Sequence, residues 1–233
     1  HRCLTYSSGL GAVTGALLSF LKAGDHLLMT DSVYAPTRKL CNTVLKRFGI
    51  ETTYYDPLSG ADICTQLRAN TTVVFTESPG SHTFEVQDIP AIAEAAHTHG
   101  AKVLMDNTWA SPLFFKPFEH GVDVSIQSGT KYIVGHADAM LGTVSTTKEA
   151  WPELRDCTGS IGQCSGPDDL YLAQRGFRTL AVRLRQHQSS ALKLAEWLQS
   201  RTEVRQVLYP ALPGAHGHEI WKRDFLGASG LFG

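Results

Sequence analysis

Residues 103–131 read VLMDNTWASPLFFKPFEHGVDVSIQSGTK. Two apolar runs in and around this stretch, Lys102 to Met105 and Val122 to Gln127, have the length and composition of buried strands. The first closes on Asp106, and the second is followed by Ser128, Gly129, Thr130 and Lys131. An acid and an amine twenty-five positions apart, each just past a strand, fall where open α/β sheets bind ligands, outside the carboxyl ends of parallel strands. Singly, each has an ordinary explanation. Aspartates at strand ends cap the following turn, and a lysine after small residues is usually a solvated surface group.

Working outward, the same alternation continues. Gly9 to Leu21 is Ala/Leu-rich and reads as a helix, His26 to Thr30 as a strand, and Thr37 to Phe48 as a helix ended by Gly49. Thr52 to Tyr55 and Thr72 to Thr76 read as strands around a short helix. Asp88 and Pro90 open a helix over Ile89 to His99, and Gly100 closes it. Met140 to Ser145 is a further strand, Leu170 to Gln199 one or two long helices, and Val204 to Leu208 a strand of a second domain. Alternation with short connections implies an α/β fold, a mostly parallel sheet with helices on both faces. The expected division is a large domain over 1–190 and the start of a smaller α+β domain over 191–233.

Composition narrows the function. With 21 Lys and Arg against 22 Asp and Glu, interspersed, there is no basic footprint for nucleic acid and no polybasic helix for a membrane surface. A small-molecule ligand is expected. Cys3, Cys41, Cys64, Cys157 and Cys164 are scattered without a CxxC, which fits reduced thiols in a cytoplasmic protein. His97 with His99 and His216 with His218 lack the i, i+4 spacing of a helical zinc pair, so no metal site is expected.

The remaining polar groups suit an anionic, planar cofactor. Asp106 and Lys131 are what a pyridoxal phosphate enzyme needs, a partner for the pyridinium nitrogen and an amine for the Schiff base. In YSSGLGAVTGALL, Ser8, Gly9 and Leu10 precede or open a helix, where free N–H groups and the dipole favour a phosphate. Ser128 and Thr130 are candidate hydroxyl donors to the same group. Tyr34, between a strand and Pro36, is placed to stack on a flat ring.

Seven segments, YSSGLGAV, TDSVYAPT, ESPGSHTFEV, DNTWASP, SIQSGTKYIVGHADAM, RGFRTLAVRLRQH and YPALPGAHGHEIWKRDF, resemble in order the Cys/Met-metabolism family of pyridoxal phosphate enzymes. Within it they look most like the bacterial β-lyases. The resemblance implies the aspartate aminotransferase-like fold (type I) and a homotetramer of tight dimers. It implies β-elimination of cystathionine to homocysteine, pyruvate and ammonia, with cysteine or cystine as further substrates. By motif, Lys131 would anchor the cofactor and move protons, and Asp106 would pair with the ring nitrogen. Tyr34 would stack and assist as a base, while Gly9, Leu10, Ser128 and Thr130 would hold the phosphate. SPGS replaces the asparagine–proline pair of the γ-enzymes. A sibling γ-lyase or γ-synthase, or a non-catalytic cofactor-binding regulator, are the alternatives. The family's upstream tyrosine and arginine and its late arginine have no counterpart in the chain, so a fragment with weak cofactor binding is expected.

Overall fold

The computed structural model describes residues 1–233. In chain order its elements are β1 (Arg2–Tyr6), α1 (Gly9–Phe20), β2 (His26–Thr30), α2 (Ala35–Leu40), β3 (Glu51–Tyr55), β4 (Thr71–Glu77), α3 (Ile89–His99) and β5 (Lys102–Asp106). They continue with α4 (Ser111–Phe114), β6 (Val124–Ser128), β7 (Gly142–Thr146), α5 (Trp151–Ser160), α6 (Pro167–Phe177), α7 (Leu180–Gln199) and α8 (His218–Asp224). The seven strands form one sheet in the order β1-β7-β6-β5-β4-β2-β3. Strand β7 runs antiparallel to both β1 and β6, and the remaining pairs are parallel.

Strand periodicity divides the core in two. Leu27, Met29, Val73, Phe75 and Leu104 pack with Ala12, Val13, Ala16 and Leu17 of α1 on one face. Leu28, Val74, Val103 and Met105 pack with Ile89, Ile92 and Ala96 of α3 and Leu184 and Ala191 of α7 on the other. Residues alternate between the faces because successive side chains of a strand point opposite ways. Burying each large aliphatic contributes roughly 1.5–3 kcal/mol relative to exposure, so the two-sided burial holds the strands.

Local signals set most boundaries. At α3, the Asp88 carboxylate accepts the Ala91 N–H at 3.2 Å, and Gly100 ends the helix at φ 85°. The helix expected at Thr37 starts at Ala35, because Pro36 occupies its first turn. It then runs into a π-helical turn over Cys41–Leu45.

The strand expected at Val204 to Leu208 does not form. Leu208 exchanges two backbone hydrogen bonds with Gly233, at 2.6 and 3.1 Å, and no neighbouring residue extends them into a ladder. The division expected near residue 190 falls inside α7, a continuous helix of 20 residues. Beyond it, Ala195, Tyr209, Leu212, Phe225 and Ala228 join the same core as Val103 and Met105. No helix is long and apolar enough to cross a membrane.

Topology locates the ligand site. From β2 the chain moves outward to β3, then returns to the other side of β2 with β4 and proceeds to β5 and β6. The order reverses between β2 and β4, the switch point at which open α/β sheets hold ligands.

Candidate active site

At the carboxyl ends of these strands lies a cavity of about 790 Å³, within the range of small-molecule sites. Ser8, Gly9, Leu10, Tyr34, Asp106, Ser128, Thr130 and Lys131 all line it. Residues from four loops thus meet around one volume.

The phosphate-sized corner follows from close packing. Ser128 ends β6 opposite Gly142 of β7, and α1 starts directly above them. A Cβ on Gly142 would stand 2.1 Å from the Ser8 carbonyl oxygen, and one on Gly9 would stand 2.6 Å from the Ser128 Oγ. Two glycines therefore let the helix N-terminus approach the strand ends. The Ser8 hydroxyl accepts the Gly11 N–H at 3.0 Å and the Ser8 carbonyl accepts that of Ala12 at 2.9 Å. This leaves the Gly9 and Leu10 N–H groups for an anion, at the positive end of a 12-residue helix. The Ser128 hydroxyl is free. That of Thr130 is engaged, donating to the Leu141 carbonyl at 3.1 Å and accepting its N–H at 2.9 Å.

Gly9→Ala fills this corner. It is expected to weaken pyridoxal phosphate binding by about one to two orders of magnitude, with a packing cost of roughly 1–3 kcal/mol. Cofactor titration together with thermal unfolding measures both, and wild-type affinity would remove Gly9 from the cradle.

Asp106 is partly exposed to the cavity. Its Oδ1 accepts the Thr108 N–H at 2.9 Å and also the Thr108 hydroxyl, while Oδ2 has no partner on the chain. Burial pushes the carboxyl above its ordinary range, and the Thr108 donors and the Lys131 ammonium act against that. A cationic N–H meeting Oδ2 would supply the missing compensation. The Thr108 hydroxyl also accepts the Ser128 N–H at 2.8 Å, so one side chain ties the end of β5 to the end of β6.

Lys131 is exposed at the cavity, its Nζ 5.6 Å from the centre of the Tyr34 ring. The loop that carries it is clamped from behind by Arg183, which donates to the Tyr132 carbonyl at 2.9 Å and to the Gly176 carbonyl at 2.8 Å. Gly135 is at φ +70°, and a Cβ there would stand 2.0 Å from the Arg183 guanidinium. Tyr34 precedes α2 and is 41% exposed.

Three contributors were not anticipated from the sequence. Glu77 closes β4 as Asp106 closes β5, the two residues being partners in register. Its Oε2 accepts the Tyr34 N–H at 2.8 Å and its Oε1 the Ser81 hydroxyl at 2.6 Å. Thr108 sits two residues after Asp106, the spacing of an Asx turn. Trp109 donates its indole N–H to the Leu231 carbonyl at 2.9 Å and packs edgewise on Tyr209 and Phe225. The strand-terminal acid in FTESPG was a readable signal for Glu77, and D-N-T for Thr108. Nothing local pointed to Trp109.

Of the four histidines in the two pairs, three make structural contacts. His97 pairs with Asp123 at 2.9 Å, and His99 and His218 bond the backbone carbonyls of Arg68 and Pro210 at 2.7 and 2.8 Å.

An acid for a ring nitrogen, an amine, an aromatic face and an anion cradle in one cavity make up the donor set of a pyridoxal phosphate site. The family profile described as Cys/Met metabolism PLP-dependent enzyme matches residues 1–233. The chain belongs to this family. Pyridoxal 5'-phosphate is the family's cofactor, and the free Asp106 Oδ2, the Gly9–Ser128 corner and the exposed Lys131 amine fit it.

Family members of known name agree. The chain is 49% identical over 232 residues to the cystathionine beta-lyase MetC of Escherichia coli, covering 99% of this chain and 59% of that one. It has the same identity and coverage with the cystathionine beta-lyase of Haemophilus influenzae. The crystal structure of a cystathionine gamma-lyase from Lactobacillus plantarum, complexed with L-serine, superposes with a TM-score of 0.96 at 31% identity, over 100% of this chain and 61% of that one. The chain spans between 57% and 66% of the length of the first curated relatives it matches. The fold is accordingly the type I fold of pyridoxal phosphate enzymes.

Proposed function

We propose that this chain is the cofactor-bearing part of a cystathionine β-lyase, cleaving a carbon–sulfur bond to yield homocysteine, pyruvate and ammonia. The observation that carries the reading is the convergence of Asp106, Lys131, Tyr34 and the α1 N-terminus on one cavity at the switch point. Named relatives at 49% identity support the β-lyase over its siblings, as does SPGS at 78–81.

Pyridoxal phosphate, when bound, supplies an electron sink for the pair left on the substrate Cα. Lys131 would hold it covalently through Nζ, and Asp106 Oδ2 would face its ring nitrogen and keep that nitrogen protonated. Gly9 and Leu10 N–H and the Ser128 hydroxyl would bind the phosphate. In this reading Thr130 contributes by fixing its loop to Leu141, with its hydroxyl available to the phosphate only if it turns from that carbonyl. Tyr34 would cover one face of the ring. The Lys131 amine would also take the Cα proton of the substrate and give a proton to the departing sulfur.

We further propose residues 1–190 as the cofactor domain and 191–233 as the start of a smaller one, joined through α7. A homo-oligomer in the cytoplasm fits the family and the five free cysteines.

The deciding experiment gives cystathionine to the holoenzyme and identifies the keto acid. Pyruvate with homocysteine is expected. 2-Oxobutyrate with cysteine would move the assignment to a γ-lyase, and cofactor binding without turnover to a regulatory protein.

A further inference from the structure

Glu77 has no place in the reading above, yet it is buried in the wall of the same cavity. Both of its hydrogen-bond partners are neutral, the Tyr34 N–H and the Ser81 hydroxyl. Those partners lie on different loops, which also meet through the Ser81 N–H donated to the Ser32 carbonyl at 2.9 Å and through Gly80, whose Cβ would stand 2.5 Å from Ser32. Tyr34 itself makes no side-chain cap to α2, and its hydroxyl has no partner on the chain. The position of its ring therefore depends on its backbone, and Glu77 holds that backbone.

We propose that Glu77 is a positioning residue of the site, fixing the Tyr34 ring across the cavity from the Lys131 amine by stapling the Tyr34 backbone to the Ser81 loop. The inference rests on the proposed role of Tyr34 as the face that covers the cofactor.

Electrostatics says in which form Glu77 does this. It faces Asp106 across adjacent strands, and two carboxylates at one level of a sheet do not both ionise readily. Burial first and then the Asp106 charge push the Glu77 carboxyl up to about 8, with Ser81, Tyr34 and the Lys131 ammonium acting against them. The other ionisable groups around it are His82 and Glu85 of its own loop and the Tyr34 phenol. Asp31 and Arg38 pair with each other beyond Ser32. Burial and the facing carboxylate thus favour the protonated form of Glu77. The protonated carboxyl keeps both contacts by placing its proton on Oε1 and donating to the Ser81 oxygen while Oε2 accepts the Tyr34 N–H, and an amide of the same shape can do the same.

The test uses Glu77→Gln and Glu77→Ala. In the apoprotein labelled with ¹⁵N-tyrosine, the Tyr34 amide resonance should move with pH as Glu77 titrates, and Glu77→Gln should abolish that movement. In the holoenzyme, Glu77→Gln should recover most of the turnover that Glu77→Ala loses, because the amide can make both contacts. Glu77→Ala should lower kcat by about tenfold or more with KM little changed, since misplacing a positioning contact by an ångström costs on that order. An amide resonance with the same pH dependence in Glu77→Gln as in the wild type would overturn the proposal. So would a Glu77→Gln holoenzyme whose kcat is itself down by about tenfold or more, a result that reads even where Glu77→Ala fails to fold. If the apoprotein results hold while Tyr34→Ala leaves the bound cofactor's circular dichroism unchanged, the role of Tyr34 fails and the staple stands.

Discussion

Lys131→Ala is expected to lower turnover by at least about 10³-fold, because one amine is asked to do two things. In the proposed reading it would anchor the cofactor covalently, and as a base it would move the Cα proton. No other lysine lines the cavity to replace it, and Arg183 behind its loop is held by three oxygen acceptors. Noncovalent binding should persist through the phosphate cradle, so the variant retains cofactor at high concentration but loses the absorption band of the protein-bound imine. The spectrum and a keto-acid assay together decide the matter. Full turnover in Lys131→Ala would end the assignment, whereas partial rescue by added small amines would support the proton-transfer half of it.

Asp106→Asn is expected to cost about 10²–10³-fold in kcat, comparable to removing one preorganised electrostatic contact in an active site. The substitution is nearly isosteric, and the amide oxygen can still accept from the Thr108 N–H and hydroxyl, so the fold and the β5–β6 tie survive. What is lost is the negative charge at the atom that has no partner on the chain. A neutral amide cannot hold a pyridine nitrogen in its protonated form, and the ring then draws electrons less well. The same change should be visible at Glu77. Removing the facing charge favours the ionised form of Glu77, so the pH dependence of the Tyr34 amide resonance should shift toward acid. Asp106→Asn within about tenfold of wild-type kcat would remove Asp106 as the ring's partner.

The parts of the fold that were legible in the sequence are those whose information is local. Strand β2 and helix α3 were read to the residue, the first from an apolar run between polar turns and the second from Asp88, Pro90 and Gly100. Strand β1 was not anticipated. Arg2 and Cys3 are exposed on the sheet edge, so it carries no apolar pattern of its own and is specified by pairing with β7. The reverse error at Val204 to Leu208 has the same origin, since β propensity without a ladder partner makes no strand.

Within the site, Lys131, Asp106, Tyr34 and the Gly9 turn could be found because each lies in a strand-to-turn context visible in one dimension. Glu77 and Thr108 act through register, Glu77 by standing level with Asp106 and Thr108 by reaching Ser128 on the next strand. Periodicity alone does not say which strands are neighbours. The state of the Thr130 hydroxyl was equally invisible, because its partner Leu141 is brought near only by the turn that returns the chain to β7.

The indole of Trp109 reaches a carbonyl 122 residues further along the chain, and Leu231, Phe232 and Gly233 line the cavity beside it. Such a contact closes a very long loop, and loops of that length are paid for in entropy before they return any contact energy. Tyr209, Phe225 and Ala228, which precede this wall in the chain, are part of the core that covers one face of the sheet, so wall and core are built from the same late residues. The shape of the cavity is thereby tied to the packing of that core, and a substitution at Phe225 or Tyr209 would be felt in the binding chamber through the Trp109 ring.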